Sequence, residues 1–215
     1  MIVSHTHRLI FIHAPKTGGT SLATVLEKHL TDGDITIGDT PLAHLWRKRF
    51  RDRPRQNPRI WKHSTLAQVV AWLGADRLAG YRAFTLVRNP WDRAVSFYHW
   101  AKAQDWQHPM VEAAKTLSFE GFLKHPAGGQ QIFRQPYTSW LASTGMEGHF
   151  MKLEEIDVAS HLTGLALGPI PQINASAARD HRGHYTPETA ALVGTLAAGD
   201  IAPFGYRFED ESQSG

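Results

Sequence analysis

The segment Leu9-Ile10-Phe11-Ile12-His13-Ala14-Pro15-Lys16-Thr17-Gly18-Gly19-Thr20-Ser21 limits the folds open to this chain more than any other. An apolar run with strand character, residues 8–13, ends in a glycine loop. A helical pattern over residues 20–30 follows at once. Strand, glycine loop and helix in that order form the anion cradle of α/β proteins. The glycines let the backbone turn tightly and aim several N–H groups into one concavity. The new helix adds the positive end of its dipole, and Lys16 adds a full charge. A phosphorylated nucleotide or a similar anion is the expected ligand. The competing reading is a plain tight turn with a solvated lysine.

The loop does not follow the G-x-x-x-x-G-K-[ST] pattern, in which the lysine comes after the last glycine. Here Lys16 precedes Gly18 and Gly19. Its ammonium would enter from the strand side, beside the N–H groups of Gly18 to Ser21.

A second strand-to-helix junction lies further along. Residues 82–87 read as a buried strand, and Arg88-Asn89-Pro90-Trp91-Asp92-Arg93-Ala94-Val95-Ser96-Phe97-Tyr98 follows. Asn89 suits an N-cap and Pro90 the first helical position, so a helix over 90–104 is expected. Ser96, seven residues after Asn89, returns to the face of the helix start after two turns. Arg88 and Ser96 can then grip one anion together, the guanidinium as a two-pronged donor and the hydroxyl as a third. The alternative is an Arg88–Asp92 ion pair beside a serine that merely fits a helix surface.

Together, Pro-Lys-Thr-Gly-Gly-Thr-Ser and the downstream Arg-Asn-Pro-x-Asp-Arg-x-x-Ser-x-Tyr resemble the sulfotransferases that use 3′-phosphoadenosine 5′-phosphosulfate (PAPS). The nearest resemblance is to the branch of bacterial sulfotransferases and carbohydrate 2-O- and 6-O-sulfotransferases. That resemblance implies that Lys16, Thr17, Gly18, Gly19, Thr20 and Ser21 bind the 5′ end of PAPS. It assigns the 3′-phosphate to Arg88 and Ser96, and requires no metal. Lys62-His63-Ser64-Thr65 is similar to the family segment that bears the catalytic histidine. His63, placed at the end of a short strand over 60–63, is therefore the expected general base, with Lys16 meeting the charge on the leaving oxygen. His13 is the second candidate base. A loop before the last helix closes over the cofactor in the family, and Arg182 or Arg179 would serve there; a solvated loop is the other reading. One departure stands out. Relatives often carry Arg-Phe-Glu before a leucine near the fourth strand, whereas this chain has His149-Phe150-Met151-Lys152-Leu153. Acceptor recognition therefore does not transfer from relatives.

Composition narrows the function classes. At 215 residues and 42% hydrophobic the chain can bury one good core, so a single domain over 1–210 with a disordered tail over 211–215 is expected. The absence of cysteine excludes disulfides, thiol nucleophiles and thiolate metal sites. No apolar run reaches the length of a membrane span, and Met1 to His7 lacks the marks of a signal peptide. A cytoplasmic location is the expectation. Net charge is +3, and eight cations between Arg47 and Lys62 face Asp52 alone. That run is either a solvated loop or a rim attracting an anionic glycan or lipid acceptor. No nucleic-acid module is recognisable. Oligomeric state is not legible.

Further helices are expected over 65–73, capped by Ser64 or Thr65, over 119–124, capped by Ser118, and over 187–198, capped by Thr186. Strands alternating with helices imply an α/β fold, P-loop-like and three-layered, with a central mostly parallel sheet flanked by helices. Its ligand crevice lies beyond the carboxyl ends of the strands, where both motifs sit. Three functions compete: a PAPS-dependent sulfotransferase acting on a hydroxyl or amine, a P-loop-like nucleotide kinase, and a non-catalytic nucleotide binder.

Overall fold

The computed structural model describes residues 1–51, 59–143, 145–171 and 180–210. The expected tail over 211–215 and the candidate Arg179 lie outside them. Strands β1 (Ile2–Ser4), β2 (Leu9–Ile12), β3 (Ile35–Thr36), β4 (Arg82–Val87) and β5 (Gly148–Lys152) form one sheet in the order β3-β1-β2-β4-β5. The helices are α1 (Gly19–Leu26), α2 (Pro41–Arg51), α3 (Leu66–Leu73), α4 (Pro90–Lys102), α5 (Pro109–Thr116), α6 (Phe119–Lys124), α7 (Gln130–Phe133), α8 (Tyr137–Leu141), α9 (Ala159–Thr163), α10 (Pro187–Leu196) and α11 (Ala198–Phe204). The expected architecture, a mostly parallel central sheet flanked by helices, is present. The chain divides into two compact units, Met1–Val87 with Thr138–Ile173, and Arg88–Tyr137 with Asn174–Gly215.

The first unit holds the whole sheet. β2 pairs in parallel with β4, and β4 with β5. β1 is antiparallel to both β2 and β3, so β3 runs with the other three and β1 alone is reversed. On one face, Leu9, Phe11, Phe84, Leu86 and Met151 pack with Leu22, Ala23, Val25 and Leu26 of α1. Phe11 and Phe84, register partners, lie 5.3 Å apart between ring centroids. The opposite face carries Val3, Ile10, Ile12, Ala83 and Val87, also buried. Strands covered on both faces read as unbroken apolar runs, which is why β2 and β4 were visible in the sequence.

β1 was not foreseen, because three residues carry too little periodicity. Its turn into β2 is tied by Asp34, which is 4% exposed. That carboxylate accepts from the Ser4 hydroxyl (3.1 Å) and from the N–H groups of His5 (2.7 Å), Thr6 (3.1 Å) and Thr31 (2.9 Å). Burial pushes the Asp34 carboxyl up, and the hydrogen bonds from Thr31, Thr6, His5 and Ser4 more than offset it, so its pKa lies below the ordinary value.

One local expectation is corrected. Residues 60–63 form no strand, and a turn occupies Lys62 and His63. The Ser64 hydroxyl accepts from the Trp61 N–H at 3.0 Å, and the Ser64 N–H donates to the Trp61 carbonyl at 3.1 Å. This side-chain turn satisfies the backbone locally, leaving nothing for a sheet ladder. Thr65 then caps α3, with a reciprocal bond from Gln68. α1 is also shorter than the expected 20–30, ending at Leu26 in a 3-10 turn over Glu27–His29.

The second unit is built on α4. The Asn89 side chain accepts from the Trp91 N–H at 3.0 Å, and Pro90 occupies the first turn, as the sequence implied. Ala94, Val95 and Tyr98 are buried. The C-terminal segment fastens the helix start. The Trp91 indole N–H donates to Ala190 O (2.9 Å), the Tyr185 hydroxyl to Trp91 O (2.8 Å), and the Asn89 amide to Arg207 O (3.0 Å). Beneath them Arg93, 1% exposed, pairs with Asp200 at 3.5 Å and lies 4.5 Å over the Tyr137 ring. Ser118 and Thr186 cap α6 and α10 as expected. No helix among the described residues is long and apolar enough to cross a membrane.

Candidate active site

The glycine loop leaves β2 at Ile12 and enters α1 at Gly19. Two features shape its turn. Lys16 adopts the left-handed conformation at φ 64°, and Gly18 does so at φ 76°. A non-glycine residue there stores strain, which accumulates at ligand clamps. Thr17 is fully buried and its hydroxyl donates to Ala14 O at 2.9 Å, stapling the loop to the strand end. Gly18 is the N-cap of α1 and offers no side chain to the helix start. The N–H groups of Gly19 and Thr20, at the start of α1, therefore meet no side-chain cap and can serve a ligand. Thr20 is half-buried at the surface of that turn, and Ser21 is buried with its N–H on Gly18 O at 3.0 Å.

Neither glycine tolerates a side chain. A β-carbon on Gly18 would lie 2.5 Å from a methyl of Leu153, and one on Gly19 would lie 2.3 Å from Cδ2 and 2.5 Å from Nε2 of His13. The His13 ring fills the space that Gly19 leaves.

Two histidines meet here. The rings of His13 and His63 stand edge to face, centroids 4.9 Å apart. His63 Nδ1 lies 2.6 Å from the carbonyl oxygen of His13. A carbonyl can only accept, so Nδ1 carries the proton and Nε2 keeps the lone pair. Burial is the main cause that lowers the His63 pKa to about 4; the bond to His13 and Asp39 oppose it, and Lys62 and the N-terminal amine assist it. His63 is therefore neutral at pH 7, and the nitrogen able to take a proton is Nε2. His13 is lowered well below the ordinary value, first by burial and then by the N-terminal amine, His63, Lys62 and Lys16.

Around His63 stand two tryptophans. Trp61 is 50% exposed and perpendicular to the His63 ring at 5.1 Å. Trp140, 4% exposed, lies on the ring at 6.5 Å, and its indole N–H has no partner among the described residues. Lys62 pairs with Asp39. Neither tryptophan is singled out by the sequence reading; Trp61 is a chain neighbour of His63, whereas Trp140 reaches the ring from a distant segment.

In the second unit, Arg88 follows β4 and its Nε donates to Asp92 at 2.7 Å. Asp92 is 2% exposed and the Arg88 side chain 15%. The Tyr137 hydroxyl donates to Arg88 O at 2.9 Å. Ser96 is buried one turn beyond Asp92 on the same face of α4. The ion pair that the sequence offered as an alternative is therefore present, and it orients the guanidinium. Arg182 sits in a 3-10 turn over Arg182–His184, exposed, with Nε 2.8 Å from Asp180. Among the described residues no group of three His, Asp or Glu is placed to hold a metal ion.

Residues 1–156 match the family model described as Sulfotransferase family. The crystal structure of mouse sulfotransferase SULT7A1 complexed with PAP is similar at 19% identity and a TM-score of 0.40, over 95% of this chain and 68% of that one. No curated protein sequence matches closely enough to count as a relative.

Proposed function

The chain belongs to the sulfotransferase family, and from that premise we propose that it moves the sulfuryl group of PAPS to a hydroxyl acceptor by in-line displacement, within one domain spanning residues 1–210. The observation that carries this reading is the Nδ1 bond from His63 to the His13 carbonyl. It leaves a neutral, oriented Nε2 next to an anion-binding loop.

In the reaction, the acceptor oxygen forms a bond to sulfur while the bond from sulfur to the bridging oxygen breaks. The acceptor proton goes to His63 Nε2 and later to water. The released electron pair stays on the 5′-phosphate of adenosine 3′,5′-bisphosphate (PAP). Protein groups chiefly position and stabilise charge, as in phosphoryl transfer. Lys16 and the N–H groups of Gly18, Gly19 and Thr20 meet charge on the departing oxygen, with Thr17, Thr20 and Ser21 shaping the cradle. Arg88 and Ser96 hold the 3′-phosphate, and Arg182 supports the nucleotide from the C-terminal segment. Amine acceptors fit less well, because an amine neutral at the working pH needs no base.

The acceptor class proposed is a carbohydrate. Trp61 offers an exposed aromatic face perpendicular to the base, and a sugar ring presents C–H bonds on one face and hydroxyls at its edge. Turnover of labelled PAPS against a library of glycosides, lipid alcohols and amines tests both levels. Transfer to glycosides is the expected result. Transfer only to amines overturns the base assignment, and failure to hydrolyse or transfer with any acceptor overturns the sulfotransferase reading.

A further inference from the structure

The carbonyl of His13 orients His63, but its imidazole has no task in the reaction above. Its ring is stacked on Phe11 at 5.9 Å and is 8% exposed. Among the described residues His13 hydrogen-bonds through its carbonyl, to His63, and not through its ring. An imidazole 8% exposed that makes no ring hydrogen bond among the described residues leaves its polar edge open to a ligand. Nε2 lies where the side chain of residue 19 would begin, 2.5 Å from that β-carbon position. The polar edge of the imidazole therefore lies at the first residue of α1, next to the N–H groups that await an anion.

Resting on the sulfotransferase reading, we propose that His13 is a second catalytic residue, whose Nε2–H donates a hydrogen bond to the phosphosulfate at the start of α1. As the sulfur–oxygen bond breaks, that donor stabilises charge growing on the leaving oxygen. Its own proton does not transfer. The groups facing the ring agree with a donor of this kind. Burial above all keeps the imidazole neutral, and Lys62 from the turn before α3 and Lys16 from the loop add to it; the Met1 amine and His63 beside it are themselves pushed down, to about 5 and about 4. A neutral imidazole polarises without competing with His63 for the acceptor proton.

The test uses the full chain and compares His13→Leu with His13→Gln, whose amide can place a donor near the Nε2 position. Loss of one preorganised donor to a developing oxyanion lowers kcat by about 10²- to 10³-fold. His13→Leu should show that loss in kcat, and His13→Gln should recover at least about tenfold of it. The pH profile of both should keep the limb that belongs to His63. Because the leucine variant can lose its fold, ¹⁵N NMR of the wild-type histidines with and without PAP gives an independent readout. Saturation with PAP should shift the His13 Nε2 resonance and slow exchange of its proton. An unmoved His13 resonance, or a His13→Leu enzyme that turns over like wild type, overturns the proposal while leaving the sulfotransferase reading standing. Absence of both PAP binding and PAPS turnover in the wild type overturns that reading, and the proposal with it.

Discussion

His63 donates its Nδ1 proton to the carbonyl oxygen of His13 across 2.6 Å, so the turn before α3 is latched to the exit of β2. One bond fixes a tautomer, a ring orientation and the spacing between a base and an anion loop.

The pH dependence of kcat/KM should be displaced to acid. This parameter reports the free enzyme, where His63 titrates at about 4. Activity should stay level from pH 8 down to about 5 and fall below that. His63→Ala should lower turnover by about 10²- to 10⁴-fold with PAP binding nearly unchanged. An inflection near the ordinary histidine value would assign the limb to another group.

Stability should share that acid sensitivity. The folded His63 pKa is about 4 against an ordinary 6.5. Between those values the unfolded chain binds the extra proton and the native one does not. The contribution is therefore intact above the unfolded value and is lost as pH falls towards the folded one. Thermal scans from pH 7 to 5 should show Tm falling, and falling less in His63→Gln. Parallel curves would mean that other groups govern the acid transition.

Arg88 should distinguish nucleotides. Losing a charged hydrogen bond costs roughly 1.5–3 kcal/mol. Calorimetry of Arg88→Ala should show PAP weakened by about that amount and adenosine 5′-monophosphate much less. Asp92→Asn, which loosens the guanidinium without removing it, should give a smaller loss with the same preference. Equal weakening of both nucleotides by Arg88→Ala would take the 3′-phosphate away from this residue.

Lys16→Ala should reduce turnover more than it reduces PAP affinity, since a charge matched to the leaving oxygen acts most in the transition state. Lys16→Arg should rescue only in part, because a planar fork replaces a compact ammonium. Wild-type turnover in Lys16→Ala would remove the lysine from the mechanism.

Gly19→Ala should damage stability through His13. The added methyl meets the ring at 2.3 Å, and overpacking of this kind costs roughly 1–3 kcal/mol. In a double-mutant cycle, His13→Ala with Gly19→Ala should be less destabilised than the two single effects summed. Strict additivity in urea unfolding would show that the clash is relieved elsewhere.

Elements with strong local signals were legible from the sequence: the runs of β2 and β4, and the caps Asn89, Thr65, Ser118 and Thr186. The loop and Arg88–Ser96 motifs could be placed because each sits at a strand-to-helix junction. What the sequence concealed was non-local or too short. β1 and β3 become strands only by pairing with each other and with β2. Residues 60–63 have strand-like composition, and the Ser64 hydroxyl redirects them into a turn. Trp140 reaches His63 from a distant segment, and the fit of the His13 ring against Gly19 is a close approach that no spacing rule conveys.

The fit between Gly19 and His13 also constrains how this site can change over generations. A lineage that first replaces His13 with a small residue frees position 19, and alanine can then settle there. The reverse order passes through a clash with a buried ring. Substitution at these two positions is thus directional, and an alanine at position 19 in any descendant should be found with a residue other than histidine at position 13.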